Sequence, residues 1–204
     1  MAKVARPAPI ERKCPYCKVK QLIHTPYDGD VDRSVLIPCA NERCRRRMKV
    51  SIVAGAPTGV LTPRRFKYSS RLRLAPDGLK GAADLTDEAC ESSYLGSPRA
   101  GAVALRAAAE VFVFQRLSNL SPRADVPTLK GAIEQLRRYS RFNSLPSHGQ
   151  HLAKAHLEAI SAMGDSAAHD RLRDESRRVQ LIPSELDDRV GMFEKVLEYV
   201  YGWR

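Results

Sequence analysis

Four of the five cysteines in this 204-residue chain fall into two close pairs. Cys14-Pro15-Tyr16-Cys17 is the first, and Cys39-Ala40-Asn41-Glu42-Arg43-Cys44 follows about twenty residues later, a spacing that fits a four-cysteine metal site. Each short pair turns back on itself and offers two thiolates from one knuckle. Two knuckles complete a tetrahedron, the arrangement in which zinc takes four sulfur ligands. The metal's binding free energy then becomes folding free energy for a segment too small to bury a core. The alternatives are four unrelated cysteines or two disulfides. Residues 1–13 are basic and contain prolines, with no apolar stretch of the kind a signal peptide carries. The chain is therefore expected in the cytoplasm, where closely paired cysteines favour metal over disulfide. The expectation is a structural Zn2+ on Cys14, Cys17, Cys39 and Cys44. Four thiolates leave no open position, so chemistry at the metal is not expected. His24 lies between the pairs, but four cysteines already complete the site.

A second constellation is Gly164-Asp165-Ser166-Ala167-Ala168-His169. Asp165 and His169 are four apart and share a face if the helix before them continues. A carboxylate placed there orients the imidazole and raises its pKa, preparing a general acid or base. The alternative is a histidine that hydrogen-bonds Asp165 and pins two helices together. Arg106 and Glu110 form another four-residue pair, either a plain salt bridge or one that crosses the bundle to Asp165 and His169. Cys90 reads as a small core residue. His148, His151 and His156 read as surface residues, and Tyr199 and Trp203 as packing for the last helix. No Gly-rich phosphate loop, GxSxG elbow or HExxH motif is present.

The elements that must position these groups differ between the two halves. Residues 1–12 read as a flexible basic arm. Residues 19–24, 31–37 and 48–53 read as three strands around the two knuckles, with an Asp-Gly turn over 27–30. Together these describe a zinc ribbon. Residues 54–63 and 75–83 read as loops. From residue 84 the apolar spacing becomes helical. Asp84 or Thr86 caps a short helix to Leu95. Ser97 and Pro98 open a long one to about Leu117. Further helices begin at Thr128, at Ser147 or His148 (breaking at Gly164), and at Ser184. The expected organisation is α+β: arm 1–12, zinc ribbon and basic strands 13–75, linker 76–83 and a helical bundle 84–204.

Charge separates along the same line. The chain carries 34 Lys/Arg against 23 Asp/Glu, a net of +11. Residues 1–75 hold seventeen Lys/Arg and five Asp/Glu, so the whole excess falls in the cysteine half. Such asymmetry points to a polyanion, most often nucleic acid, DNA or RNA. The contact residues expected are Arg45, Arg46, Arg47, Lys49, Arg64, Arg65, Lys67, Arg71 and Arg73. The alternative is a solvated face that aids solubility. No run is long enough to span a bilayer, so no membrane contact is expected.

The order of these features resembles a known family. The carrying residues are the ribbon, the stretch Ser97-Pro98-Arg99-Ala100-Gly101-Ala102-Val103-Ala104-Leu105-Arg106-Ala107-Ala108-Ala109-Glu110, the Gly164–His169 element and the terminal Val196-Leu197-Glu198-Tyr199-Val200-Tyr201. They resemble the prokaryotic domain of unknown function number 4145, which is similar to HEPN helical domains of toxin ribonucleases and anti-phage systems. The resemblance implies a helical bundle that pairs as a homodimer. It also implies an Arg and a His of an R-x4-6-H motif lining a cleft, the Arg on phosphate charge and the His on the ribose hydroxyl proton. His169 matches that histidine, and Asp165 matches the polar residue after the Arg. The Arg itself is absent: Ala162, Met163 and Gly164 stand where it would be, and Arg106 or Arg171 would have to supply a guanidinium from elsewhere.

The first functional expectation is a zinc-ribbon nucleic-acid-binding accessory protein in anti-phage defence or nucleic-acid metabolism, with a helical domain that dimerises or docks a protein partner. The second is a metal-independent ribonuclease using His169, with Asp165, Arg106 and Glu110. The third is a regulatory module that binds protein.

Overall fold

The computed structural model describes residues 8–24, 33–54, 56–75, 78–121, 128–138, 147–169 and 181–203. The expected turn over 27–30 and Arg171 lie outside them. The chain divides into two compact units, Met1–Pro63 and Arg64–Arg204. The small antiparallel sheets and the helices make it α+β.

The first unit holds five strands: β1 (Ile10–Lys13), β2 (Lys20–Ile23), β3 (Arg33–Pro38), β4 (Arg47–Val53) and β5 (Ala56–Val60). β1 and β2 form an antiparallel hairpin, with Lys13 opposite Lys20, and the first cysteine pair sits in its turn. β3, β4 and β5 form a three-stranded antiparallel sheet in that order, and the second cysteine pair joins β3 to β4. Alternation along β4 buries Met48, Val50 and Ile52 and turns Lys49 and Ser51 outward. Two strands were not expected. All of β1 but Lys13 lies in the stretch read as an arm, and β5 lies inside a stretch read as a loop. Glu11-Arg12-Lys13 carries no apolar alternation. Pro57 and Gly59 argue against a strand, yet β5 is an edge strand, where proline's missing N–H costs nothing. A register shift at Ser51/Ile52 brings Pro57 opposite Ile52.

The buried cluster of this unit is Cys14, Ile23, Cys39, Met48 and Val50. With Ile52 also buried, four apolar side chains make a small core for five strands.

The second unit holds six helices: α1 (Ser69–Leu74), α2 (Lys80–Tyr94), α3 (Pro98–Leu120), α4 (Leu129–Arg138), α5 (Ser147–His169) and α6 (Pro183–Tyr201). Helix α3 packs on α2, α4, α5 and α6, and its Leu105, Ala109, Phe112 and Val113 are fully buried. Three expectations are corrected here. Residues 69–74 are helical, not strand-like. Helix α2 begins at Lys80, so Asp84 lies inside it and binds Arg73 rather than capping. Helix α5 runs through Gly164 without breaking. Ser97 does precede α3 with Pro98 at its start, but its side chain makes no capping hydrogen bond.

The segment before α1 is fastened across α6. Arg64 bonds the Asp187 carbonyl and pairs with Glu194 at 2.7 Å. The Lys67 amide donates to Glu194 at 2.9 Å. Lys67 Nζ and the Tyr68 hydroxyl both donate to Glu198 Oε1, at 3.0 and 2.8 Å. Phe66 stacks on Phe193 with centroids 5.8 Å apart. These contacts place residues 64–75 in the helical unit, although the sequence reading grouped them with the ribbon.

Candidate metal centre and its basic surround

The two knuckles repeat one backbone design. The Cys14 amide donates to the Val19 carbonyl at 2.9 Å, and the Cys39 amide to the Arg46 carbonyl at 2.9 Å. The residue after each second cysteine is left-handed, Lys18 at φ 64° and Arg45 at φ 48°. That conformation costs a non-glycine residue about 1 kcal/mol or more. It also brings the next amide, of Val19 or Arg46, onto the sulfur of Cys17 or Cys44. In the longer second knuckle Asn41 fills the extra turn. Its carbonyl accepts from Cys44 and its side-chain oxygen from Arg43, and its amide reaches Cys39 Sγ at 3.4 Å. Gln21 of β2 braces this knuckle through the Ala40 amide at 2.7 Å.

All four Sγ atoms lie within 4.8 Å of one another. Cys14 and Cys44 are 3.9 Å apart at sulfur, and Cys17 and Cys39 3.6 Å. A tetrahedron with metal–sulfur bonds of about 2.3 Å has edges of about 3.8 Å, whereas a disulfide needs about 2.05 Å. The cluster is therefore sized for a metal ion, and its cysteines are free of disulfides. The four thiols sit in different surroundings. The Val19 amide leads in lowering the Cys17 thiol to about 7, while burial pushes Cys39 up to about 12. A cation would favour the thiolate at every position.

The basic residues expected to contact nucleic acid fall into two groups. Arg45, Arg46 and Arg47 are exposed on the second knuckle and the start of β4, with Lys49 half-buried beyond them. Arg45 Nε donates to the Glu42 carbonyl at 3.0 Å. Arg46 lies over the Tyr16 ring, 4.7 Å from its centroid, and so ties one knuckle to the other. The remaining five belong to the helical unit. Arg64 and Lys67 bind α6 as described above. Arg73 pairs with Asp84 at 2.8 Å and Asp87 at 2.7 Å. Arg71 sits over the Tyr68 and Trp203 rings, and Arg65 is exposed. Divided at Pro63, the charge becomes twelve Lys/Arg against five Asp/Glu in the first unit and twenty-two against eighteen in the second. The excess is +7 and +4, so the ribbon does not hold all of it. Sequence reasoning missed Lys18 and Arg43, which are exposed on the knuckles. Their position between ligand cysteines, or next to one, was the available signal.

In the helical unit, Arg106 of α3 pairs with Glu110 at 2.9 Å and crosses to Asp165 of α5, Nε to Oδ1 at 3.2 Å. The second contact is an ion pair without the alignment of a hydrogen bond. Ser161 donates to Asp165 from one turn earlier. Three of the four residues grouped from the sequence thus meet. The His169 side chain lies outside the described residues. Cys90 is buried, and its thiol is pushed up to about 12 by that burial. His148 and His151 are exposed and His156 is half-buried. No helix among the described residues is long and apolar enough to cross a membrane. Comparisons with protein-family models, with curated proteins and with solved structures return no match.

Proposed function

We propose that this chain is a zinc-ribbon protein that binds nucleic acid through the ribbon. Cys14, Cys17, Cys39 and Cys44 hold a structural zinc ion, which supplies the folding free energy the small core lacks. The fixed knuckles then present Arg45, Arg46 and Arg47 to phosphates. The observation that carries this reading is the four-sulfur cluster with arginines fixed on the same knuckle. In this proposal the helical unit is HEPN-like, related to the domain of unknown function number 4145. It pairs as a homodimer or docks a partner protein, and the protein serves as an accessory in anti-phage defence or nucleic-acid metabolism. The test is retention of nucleic acid by the zinc-loaded full chain at low salt, with loss when Arg45, Arg46 and Arg47 are replaced together by glutamine. No binding with zinc in place rejects it.

A second reading has its own supporting observation, the reach of Arg106 to Asp165 beside Gly164. It supplies a guanidinium near the position where the resemblance expects one, and His169 would then act on a ribose hydroxyl as a ribonuclease. Incubation with RNA, wild type against His169→Ala, decides it. Equal cleavage by both, or none by wild type, rejects it.

A further inference from the structure

We propose that the ribbon's contact surface is its metal end, built jointly from both knuckles, and that it takes the phosphate backbone of a nucleic-acid duplex without reading bases. This rests on the nucleic-acid reading above and adds its class and its residues. Among the described residues of the first unit stand ten Lys/Arg and only two Asp/Glu, Glu11 and Glu42. Five of those cations, Lys18, Arg43, Arg45, Arg46 and Arg47, lie on the knuckles or directly beside them. Lys18 comes from one knuckle and the four arginines from the other, so the surface exists only when the metal joins them.

Three of these cations, Lys18, Arg45 and Arg46, are also held. Lys18 and Arg45 follow ligand cysteines in the same left-handed conformation. Lys18 Nζ donates to the Pro15 carbonyl at 2.9 Å, Arg45 Nε donates to the Glu42 carbonyl at 3.0 Å, and Arg46 lies over the Tyr16 ring at 4.7 Å. Cations fixed in this way lose less freedom on binding.

Single-strand readers combine such cations with aromatic faces on which bases stack. Among the described residues of this unit the rings are Tyr16, half-buried with Arg46 over one face, and the exposed imidazole of His24, which lies beyond the end of β2 rather than on a knuckle. A knuckle surface whose one described ring is half-buried and has a cation over one face contacts phosphates, which position a protein on a duplex and carry no sequence information.

The test uses the zinc-loaded full chain and fluorescence anisotropy. The probes are two DNA duplexes of unrelated sequence, the corresponding RNA duplexes and their separate strands. The two sequences are expected to bind within about threefold of each other, and single strands no tighter than duplexes. Five phosphate contacts would reduce affinity on the order of 500-fold between 50 and 200 mM salt. Lys18→Gln and Arg43→Gln should each lower the slope of log affinity against log salt by about 0.9, at unchanged zinc content. Tyr27→Ala should change nothing. A preference above tenfold for single strands that Tyr27→Ala abolishes would overturn the inference, as would unaltered slopes in both glutamine variants; either leaves the nucleic-acid reading standing. Failure to bind any of these probes at 50 mM salt, with polyglutamate still retained, would contradict both.

Discussion

Arg106 lies directly against Gly164. A Cβ built on Gly164 would come within 2.6 Å of Arg106 Cδ, and closer still to its Cβ. The glycine sits inside α5, five residues before its end, where alanine would ordinarily be favoured by about 1 kcal/mol. It is there so that α3 and α5 can approach closely enough for Arg106 to reach Asp165. The clash involves the arginine's own Cβ, which no side-chain rotation removes. Gly164→Ala should therefore destabilise the helical unit by about 1–3 kcal/mol despite the better helix former. Thermal melting checks this: a fall of several degrees is expected, and a rise would contradict the close approach.

Glu198 gathers Lys195, Lys67 and Tyr68, which hold its carboxyl down to about 2 from an ordinary 4.5. Its native pKa is below its unfolded one, so its contribution is complete above about pH 4.5 and is lost as the pH falls towards 2. Glu198→Gln should lower stability at pH 7 by about 1 kcal/mol, since the site is partly solvated. It should also flatten the decline of stability between pH 4.5 and 2. Urea unfolding at pH 7, 4 and 3 measures both. A variant with the wild-type acid profile contradicts the assignment.

The two groups of cations should separate in function. Arg64→Gln breaks contacts to Glu194 and the Asp187 carbonyl, so it should cost the helical unit about 1 kcal/mol or more and leave nucleic-acid affinity within about twofold. Arg47→Gln should leave the melting temperature unchanged and weaken binding several-fold at low salt. Calorimetry and anisotropy on both variants check the pair. Reversed effects would return the binding surface to residues 64–73.

Metal removal should unfold one unit and spare the other. With a chelator, amide protection should vanish in β3 and β4 and persist in α3, whose core needs no metal. Cys39→Ser should behave like the chelated protein. Hydrogen exchange resolved by peptide reports this directly, and equal protection of β4 with and without chelator contradicts it.

The cysteine spacing revealed the four-sulfur cluster because two close pairs about twenty residues apart can converge whatever the chain between them does. The strands next to the knuckles were legible from their apolar alternation. β1 and β5 were not, because knuckle geometry and a neighbouring strand hold them rather than side-chain pattern. α1 was missed because Arg71-Leu72-Arg73 was grouped by its charge with the basic strands of 13–75, and a six-residue helix that buries only Leu72 leaves no helical spacing to read. The charge of residues 64–73 looked like part of a basic surface. Its partners, Asp84, Asp87, Glu194 and Glu198, stand far along the chain, and sequence order gives no sign of the pairing. The meeting of Arg106 with Asp165 was one of two open readings, and Gly164, taken for a helix stop, was the residue that permits it.

The central claim is that a metal on the four cysteines assembles a nucleic-acid-binding ribbon. Its most direct test is one titration of labelled duplex with the full chain, zinc-loaded and then chelated, at 50 mM salt. The account predicts saturable binding with zinc and its loss on chelation, restored when zinc is returned. Binding of equal strength in both states, or in neither, would contradict it.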